Sequence, residues 1–140
     1  MPLRLSANGK PVPSKLILAS PWLDLTLKNP AIKYYAKFDP LLAVPGHTEA
    51  GRIWAGGDDP SNYLLSPING DMSVLPPTTV FAGTREIFCP DVITFASNLQ
   101  RAGIKVDLHL SRGSDHDFVI FPTSEASKAR RTIIDVINSD

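Results

Sequence analysis

The fold of this 140-residue chain is decided by residues 78–118, which read TTVFAGTREIFCPDVITFASNLQRAGIKVDLHLSRGSDHDF. The segment begins with an apolar, β-branched run, Thr78–Ala82, which is typical of a strand covered on both faces. Apolar residues at helical spacing follow, with Pro90 suited to the first turn of a helix and Gly103 to its end. A second, alternating strand, Val106–Ser111, comes next and suggests a sheet edge. Strand, helix and strand joined by short links predict a right-handed βαβ unit with parallel strands.

The flanking sequence extends this unit. Lys15–Ser20 (KLILAS) predicts another buried strand, and apolar residues at helical spacing predict a last helix that starts near Thr123–Ser124. Residues 29–77 are rich in Pro, Gly, Asp and Asn, with short helices predicted at Tyr34–Leu42 and Thr48–Trp54. So long an irregular insertion is expected to pack over the strand ends, where α/β sheets hold their ligands. The expected fold class is α/β, with three parallel strands and flanking helices.

Composition and charge argue against several classes of protein. Fourteen basic residues balance fourteen acidic ones, so no basic excess points to nucleic acid or to a membrane surface. A single cysteine, Cys89, excludes an internal disulfide framework, and the three histidines lack metal-ligand spacing. The sequence has no signal-peptide core and no apolar run long enough to span a bilayer. We therefore expect a cytoplasmic protein with no metal site.

An acidic residue and a histidine each follow a strand of the predicted βαβ unit. Glu86 lies a few residues past the end of the first strand, and His116 lies in a short glycine-containing loop after the second. The carboxyl ends of parallel strands meet at one edge, so we expect a hydrogen bond of about 2.6–3.2 Å between them. There a carboxylate can accept the imidazole Nδ1–H and stabilise the imidazolium, while the imidazole acts as a general base. Asp91, in the first turn of the helix, is the alternative acid.

The remaining titratable candidates have structural interpretations. Asp115 and Asp117 flank His116, and because adjacent side chains diverge we predict that both are loop or capping groups. His109 is expected on the polar face of the edge strand. His47 is expected in a turn, because it follows a proline and a glycine.

Seven short motifs follow one another along the chain. They are SPWLDLT (Ser20–Thr26), NP (Asn29–Pro30), FDPLL (Phe38–Leu42), DP…LLSPI (Asp59–Ile68), LPPTTVFAGTREIF (Leu75–Phe88), FASNLQRAGIKV (Phe95–Val106) and SDHDF (Ser114–Phe118). Several are weak alone, but their ordered co-occurrence is a strong signal. Together they resemble the hormone-sensitive-lipase-like branch of the α/β-hydrolases.

This resemblance implies an esterase or lipase that cleaves carboxylic esters through a serine acyl-enzyme, with no cofactor. It implies that Glu86 is the catalytic acid, where most relatives carry Asp, and that His116 is the catalytic base. It puts a non-catalytic residue at Cys89, so a packed thiol is favoured there although a helix N-terminus can lower a thiol pKa.

Acid followed by histidine is the second part of the Ser…Asp/Glu…His order of this fold. The G-x-S-x-G nucleophile motif and the oxyanion loop that should precede them do not occur in residues 1–140. The resemblance therefore implies a partial α/β-hydrolase fold, the C-terminal part of the domain.

Two functions follow as hypotheses. In the first, the chain is the C-terminal portion of a serine carboxylesterase or lipase that supplies the acid and the histidine and is inactive alone. In the alternative, it is a non-catalytic interaction module or pseudoenzyme on the same scaffold. The sequence leaves open whether the chain is a natural half-protein, a mis-started frame or a proteolytic fragment. In each case the outer edge of Lys15–Ser20 would be bare, so we expect self-association or pairing with an N-terminal fragment through it.

Overall fold

A computed structural model describes residues 2–139, which form a single three-stranded parallel sheet. Its strands are β1 (Leu16–Ala19), β2 (Thr78–Gly83) and β3 (Val106–Ser111), in the order β1-β2-β3. The register pairs the first residues of all three strands, so their carboxyl ends lie at one edge of the sheet. The predicted α/β class with three parallel strands is confirmed, and no strand end differs from its prediction by more than one residue.

Five α-helices accompany the sheet within residues 2–139. They are α1 (Pro2–Ala7), α2 (Ile32–Tyr35), α3 (Val44–Ala55), α4 (Cys89–Arg101) and α5 (Ser124–Asn138). As predicted, Pro90 lies in the first turn of α4, and Gly103 follows this helix with a φ of 76° that suits glycine. Thr123 caps α5, because its hydroxyl accepts a hydrogen bond of 3.2 Å from the Ala126 N–H. None of the described helices is long and apolar enough to cross a bilayer.

The core forms on both faces of β2, whose six residues are all buried. Side chains alternate between the faces of a strand, so neighbouring residues of β2 pack against different helices. On one face Val80 and Ala82 belong to the cluster that contains Val92, Phe95 and Leu99 of α4. On the other face Phe81 packs with Phe118, Val119 and Ala129, which belong to a short 3₁₀ turn (Phe118–Ile120) and to α5. The β2 carboxyl end is therefore held rigidly from both sides.

The outer strands differ in part from their predictions. β1 pairs only with β2 among residues 2–139 and is partly exposed, so the expectation of a strand covered on both faces is wrong for it. β3 is an edge strand as predicted, but Leu110 on its apolar face is exposed. His109, predicted on a polar face, stacks on Phe81 of β2 with ring centroids 4.7 Å apart. These two residues are direct cross-strand neighbours, which brings their rings into contact.

The insertion at residues 29–77 contains α2, α3 and two 3₁₀ turns, Pro67–Asn69 and Met72–Val74. The helix predicted at Tyr34–Leu42 is wrong in its bounds, since α2 starts two residues earlier and ends at Tyr35. Asp39 accounts for this difference, because its carboxylate accepts hydrogen bonds from two following backbone N–H groups and forms a turn. The helix predicted at Thr48–Trp54 is present but starts four residues earlier, with Pro45 in its first turn.

Candidate active site

Glu86 and His116 meet at the carboxyl edge of the sheet. His116 Nδ1 lies 2.7 Å from Glu86 Oε2, within the distance predicted from the sequence. The other oxygen, Glu86 Oε1, accepts a hydrogen bond of 3.1 Å from the Gly83 N–H. Glu86 is fully buried, whereas the side chain of His116 is 21% exposed. Since a carboxylate can only accept, the hydrogen of the imidazole sits on Nδ1 and leaves Nε2 free to take a proton.

Gly83 allows the loop that carries His116 to lie directly against the end of β2. A Cβ atom at this position would be 2.3 Å from the carbonyl oxygen of Ser114 and 2.5 Å from that of Asp115. Real Cβ atoms do not approach backbone oxygens so closely, so any larger residue would push the loop outward. The Arg85 N–H also donates a hydrogen bond of 3.1 Å to the Ser114 carbonyl. The loop that carries Glu86 and the loop that carries His116 therefore pack directly against each other.

Asp117 contacts the second nitrogen of the imidazole. Its Oδ2 lies 3.4 Å from His116 Nε2, so the prediction that its side chain diverges from the ring is wrong. The left-handed backbone of Asp117, with φ at 53°, turns the chain sharply after the histidine and explains the contact. Asp115 does point elsewhere, with its Oδ1 3.5 Å from Arg85 Nε.

The carboxylates around His116 determine its charge. Burial of the imidazole lowers its pKa, but the hydrogen bond with Glu86 and the charges of Asp117, Glu86 and Asp39 outweigh that effect. The net pKa of His116 is therefore raised above its ordinary value. The imidazolium thus stabilises the fold fully below the ordinary histidine pKa, and this stabilisation is lost as the pH rises through the raised pKa.

We expect Asp117→Asn to lower the pKa of His116, because the substitution removes a charge that favours the imidazolium. The effect is modest, since the side chain of Asp117 is 44% exposed and water screens it. NMR titration of the histidine side chains measures it, and Asp115→Asn is the matched control. An unchanged pKa in Asp117→Asn, or an equal fall in Asp115→Asn, would contradict this assignment.

An aromatic cluster lines one side of His116. The ring of Phe88 meets the imidazole edge-on at 5.4 Å, and Trp22 stacks on Phe88 at 5.5 Å. His47 packs edge-on against both Trp22 and Phe88. Its predicted place in a turn is wrong, because His47 lies in α3, where the preceding Pro45 and Gly46 form the first turn. The three rings form an aromatic wall beside the imidazole of His116.

The structure does not bring the other sequence candidates to this pair. Asp91, the alternative acid, accepts a hydrogen bond of 2.8 Å from Asn29 Nδ2, and burial raises its pKa. Cys89 is buried as expected, and burial raises the pKa of its thiol to about 11, so the helix N-terminus does not activate it. No cluster of three or more His, Cys, Asp or Glu side chains suited to a metal ion occurs in the described part of the chain.

The family model and the sequence relatives that match this chain indicate the same family. The model of the α/β-hydrolase fold family matches residues 1–120. An esterase of Acinetobacter venetianus is 36% identical over 121 residues, which cover 85% of this chain and 40% of that protein. A triacylglycerol lipase of Mycobacterium tuberculosis is 25% identical over 114 residues, which cover 81% of this chain and 22% of that protein.

Solved structures agree with the sequence relatives. A candidate esterase from Staphylococcus aureus superposes with a TM-score of 0.94 at 34% identity, covering 99% of this chain and 48% of that one. A hormone-sensitive lipase from a metagenome library superposes with a TM-score of 0.92 at 29% identity, covering 97% of this chain and 46% of that one. The chain thus spans less than half the length of each of these relatives.

Proposed function

Because this chain belongs to the α/β-hydrolase fold family, we propose that it supplies the catalytic acid and base of a serine carboxylesterase or lipase site. Glu86 is the acid and His116 is the base. The observation that carries the proposal is the contact of 2.7 Å between Glu86 Oε2 and His116 Nδ1 at the carboxyl edge of a parallel sheet. Family resemblance to esterases and the raised pKa of His116 support it.

In this mechanism Glu86 holds the imidazole so that Nε2 accepts the proton of a serine hydroxyl as its oxygen attacks the ester carbonyl. The imidazolium, stabilised by the buried carboxylate, then donates that proton to the leaving alkoxide. A water molecule repeats the same two steps on the acyl-enzyme and releases the carboxylic acid. The serine and the oxyanion hole come from outside residues 1–140, because no G-x-S-x-G sequence occurs within them.

The substrate we propose is a small carboxylic ester bound beside the wall of Trp22, His47 and Phe88. The ring faces of Trp22 and Phe88 favour an apolar acyl or alcohol group there. A cytoplasmic location is part of the proposal, supported by the single buried Cys89, which needs no oxidising compartment.

We expect the 140-residue chain alone to hydrolyse p-nitrophenyl acetate and butyrate no faster than its own His116→Ala variant. Joining it to the part of the Staphylococcus aureus relative that it does not cover should restore turnover. That turnover should be blocked by a serine-directed reagent, because the added part brings the nucleophile. Serine-reagent-sensitive hydrolysis by the 140-residue chain itself would refute the proposed division of the site.

The second candidate function, a non-catalytic interaction module, is favoured by one observation. β1 has no neighbouring strand on its outer side among residues 2–139. The completion experiment separates the two functions. A joined chain that folds and exposes its serine to the reagent, yet does not hydrolyse esters, would favour the interaction module.

A further inference from the structure

Ser20, directly after β1, has a backbone conformation that serine seldom adopts. Its φ is 42°, in the left-handed region that favours glycine, and the residue is 4% exposed. A strained backbone of this kind persists only where the surrounding structure holds it, and such sites cluster around functional groups. The contacts that hold Ser20 in this strained conformation therefore indicate a role other than ending the strand.

Two hydrogen bonds hold Ser20 between β2 and the histidine loop. Its backbone N–H donates to the carbonyl of Phe81 in β2 at 2.8 Å. Its hydroxyl oxygen accepts from the backbone N–H of Asp117 at 2.9 Å. The side chain thus connects β1 to the residue directly after His116, 97 positions further along the chain.

The backbone is held by a hydrogen bond on each side of His116. On the N-terminal side, the Arg85 N–H holds the carbonyl of Ser114 at 3.1 Å. On the C-terminal side, the bond from the Asp117 N–H to the Ser20 hydroxyl is followed by Phe118, which is buried in the core. The backbone at His116 is therefore fixed on both sides, and that backbone sets the direction in which the imidazole points.

We propose that Ser20 is a positioning residue whose hydroxyl holds the histidine loop so that His116 Nδ1 stays on Glu86. This inference rests on the proposed role of His116 as the base. Serine suits this position better than glycine or alanine, the residues closest to it in size. Glycine accepts the positive φ but has no hydroxyl, and alanine offers neither, so only the serine oxygen can accept the hydrogen bond from the Asp117 N–H.

The pKa of His116 reports whether the loop is in place. The charged groups that act on the imidazole are the carboxylates of Glu86, Asp117 and Asp39. Substitution of Ser20 alters none of these three residues chemically, but it releases the loop that carries both His116 and Asp117. A looser loop weakens the contact with Glu86, which is the strongest of the effects that raise the pKa. The pKa of His116 should therefore fall toward its ordinary value.

The test compares Ser20→Ala, Ser20→Gly and Ser66→Ala in the 140-residue chain. Both Ser20 variants lose the hydroxyl, but the glycine variant relieves the backbone strain and should melt at the higher temperature of the two. Ser66 is an equally buried serine whose hydroxyl accepts from the Leu25 N–H and donates to the Pro60 carbonyl, away from the histidine loop. NMR titration of the histidine side chains follows His116, with His116→Ala identifying its signal.

We expect a lower pKa of His116 in both Ser20 variants and an unchanged pKa in Ser66→Ala. In the chain joined to the uncovered part of the Staphylococcus aureus relative, Ser20→Gly should lower kcat by about 10- to 100-fold with little change in KM, as a displaced catalytic group does. An unchanged pKa in both Ser20 variants, or the same fall in Ser66→Ala, would overturn the inference. The titration needs no substrate, so an inactive completed chain would refute the esterase proposal and not this one.

Discussion

In the joined chain, for which we propose esterase activity, Glu86→Gln should lower kcat by about 10⁴-fold, and His116→Ala should lower it at least as much. The alanine variant removes the proton acceptor. The glutamine variant keeps the shape of the Glu86 side chain but reverses its hydrogen bond with His116 Nδ1. The Gly83 N–H requires an acceptor at 3.1 Å, so the amide oxygen of the new side chain turns toward it.

The amide NH₂ group then faces His116 Nδ1, where Glu86 Oε2 had accepted a hydrogen bond. Nδ1 must become the acceptor, so the neutral imidazole carries its hydrogen on Nε2. That tautomer cannot take the serine proton. The loss therefore appears in kcat, while KM changes little.

Asp91→Asn is the matched control, since Asp91 is also buried, lies near the start of α4 and was the alternative acid. Steady-state hydrolysis of p-nitrophenyl butyrate measures all three variants. We expect Asp91→Asn to retain near-parental kcat once folded. A loss in Asp91→Asn equal to that in Glu86→Gln would mean that the acid is assigned to the wrong residue.

The second large effect is on the state of association. We expect light scattering on the isolated chain to give a mass well above the 15.2 kDa of one copy. β1 leaves one row of backbone groups without a strand among residues 2–139, and such edges recruit another chain. The C-terminal end of α5 lies near the start of β1, since Lys15 Nζ donates to the Val136 carbonyl at 3.1 Å. The exposed side chains of Ile134 and Ile137 extend the apolar surface there.

Ile137→Lys should shift the chain toward the monomer, because it places a charge beside the edge. Ile53→Lys on α3 is the matched control, since both isoleucines are 64% exposed. A clean monomer across a wide range of concentration would contradict the prediction. An equal shift in the two variants would show that association does not use the β1 edge.

The positions of Glu86 and His116 could be predicted because each is set by the strand that immediately precedes it. Glu86 and His116 each follow a strand by a few residues, and parallel strands bring such loops to one edge. The contacts of Asp117 and Ser20 could not be predicted in this way. Each depends on a positive φ at a residue other than glycine, and no motif signals that conformation. The place of His47 was missed because the proline and glycine before it favour a turn but also suit the first turn of a helix.

The sequence by itself determined the βαβ architecture and placed Glu86 and His116 after neighbouring strands at one edge of the sheet. Hydrophobic periodicity and the geometry of parallel strands predict that edge, whereas the choice of Glu86 over Asp91 rested on the family resemblance. Only the tertiary structure decided which groups surround the imidazole, because those contacts join residues far apart along the chain. Trp22 and Ser20 come from the end of β1, His47 from α3 and Asp39 from the insertion, and their approach to His116 depends on how the whole core packs.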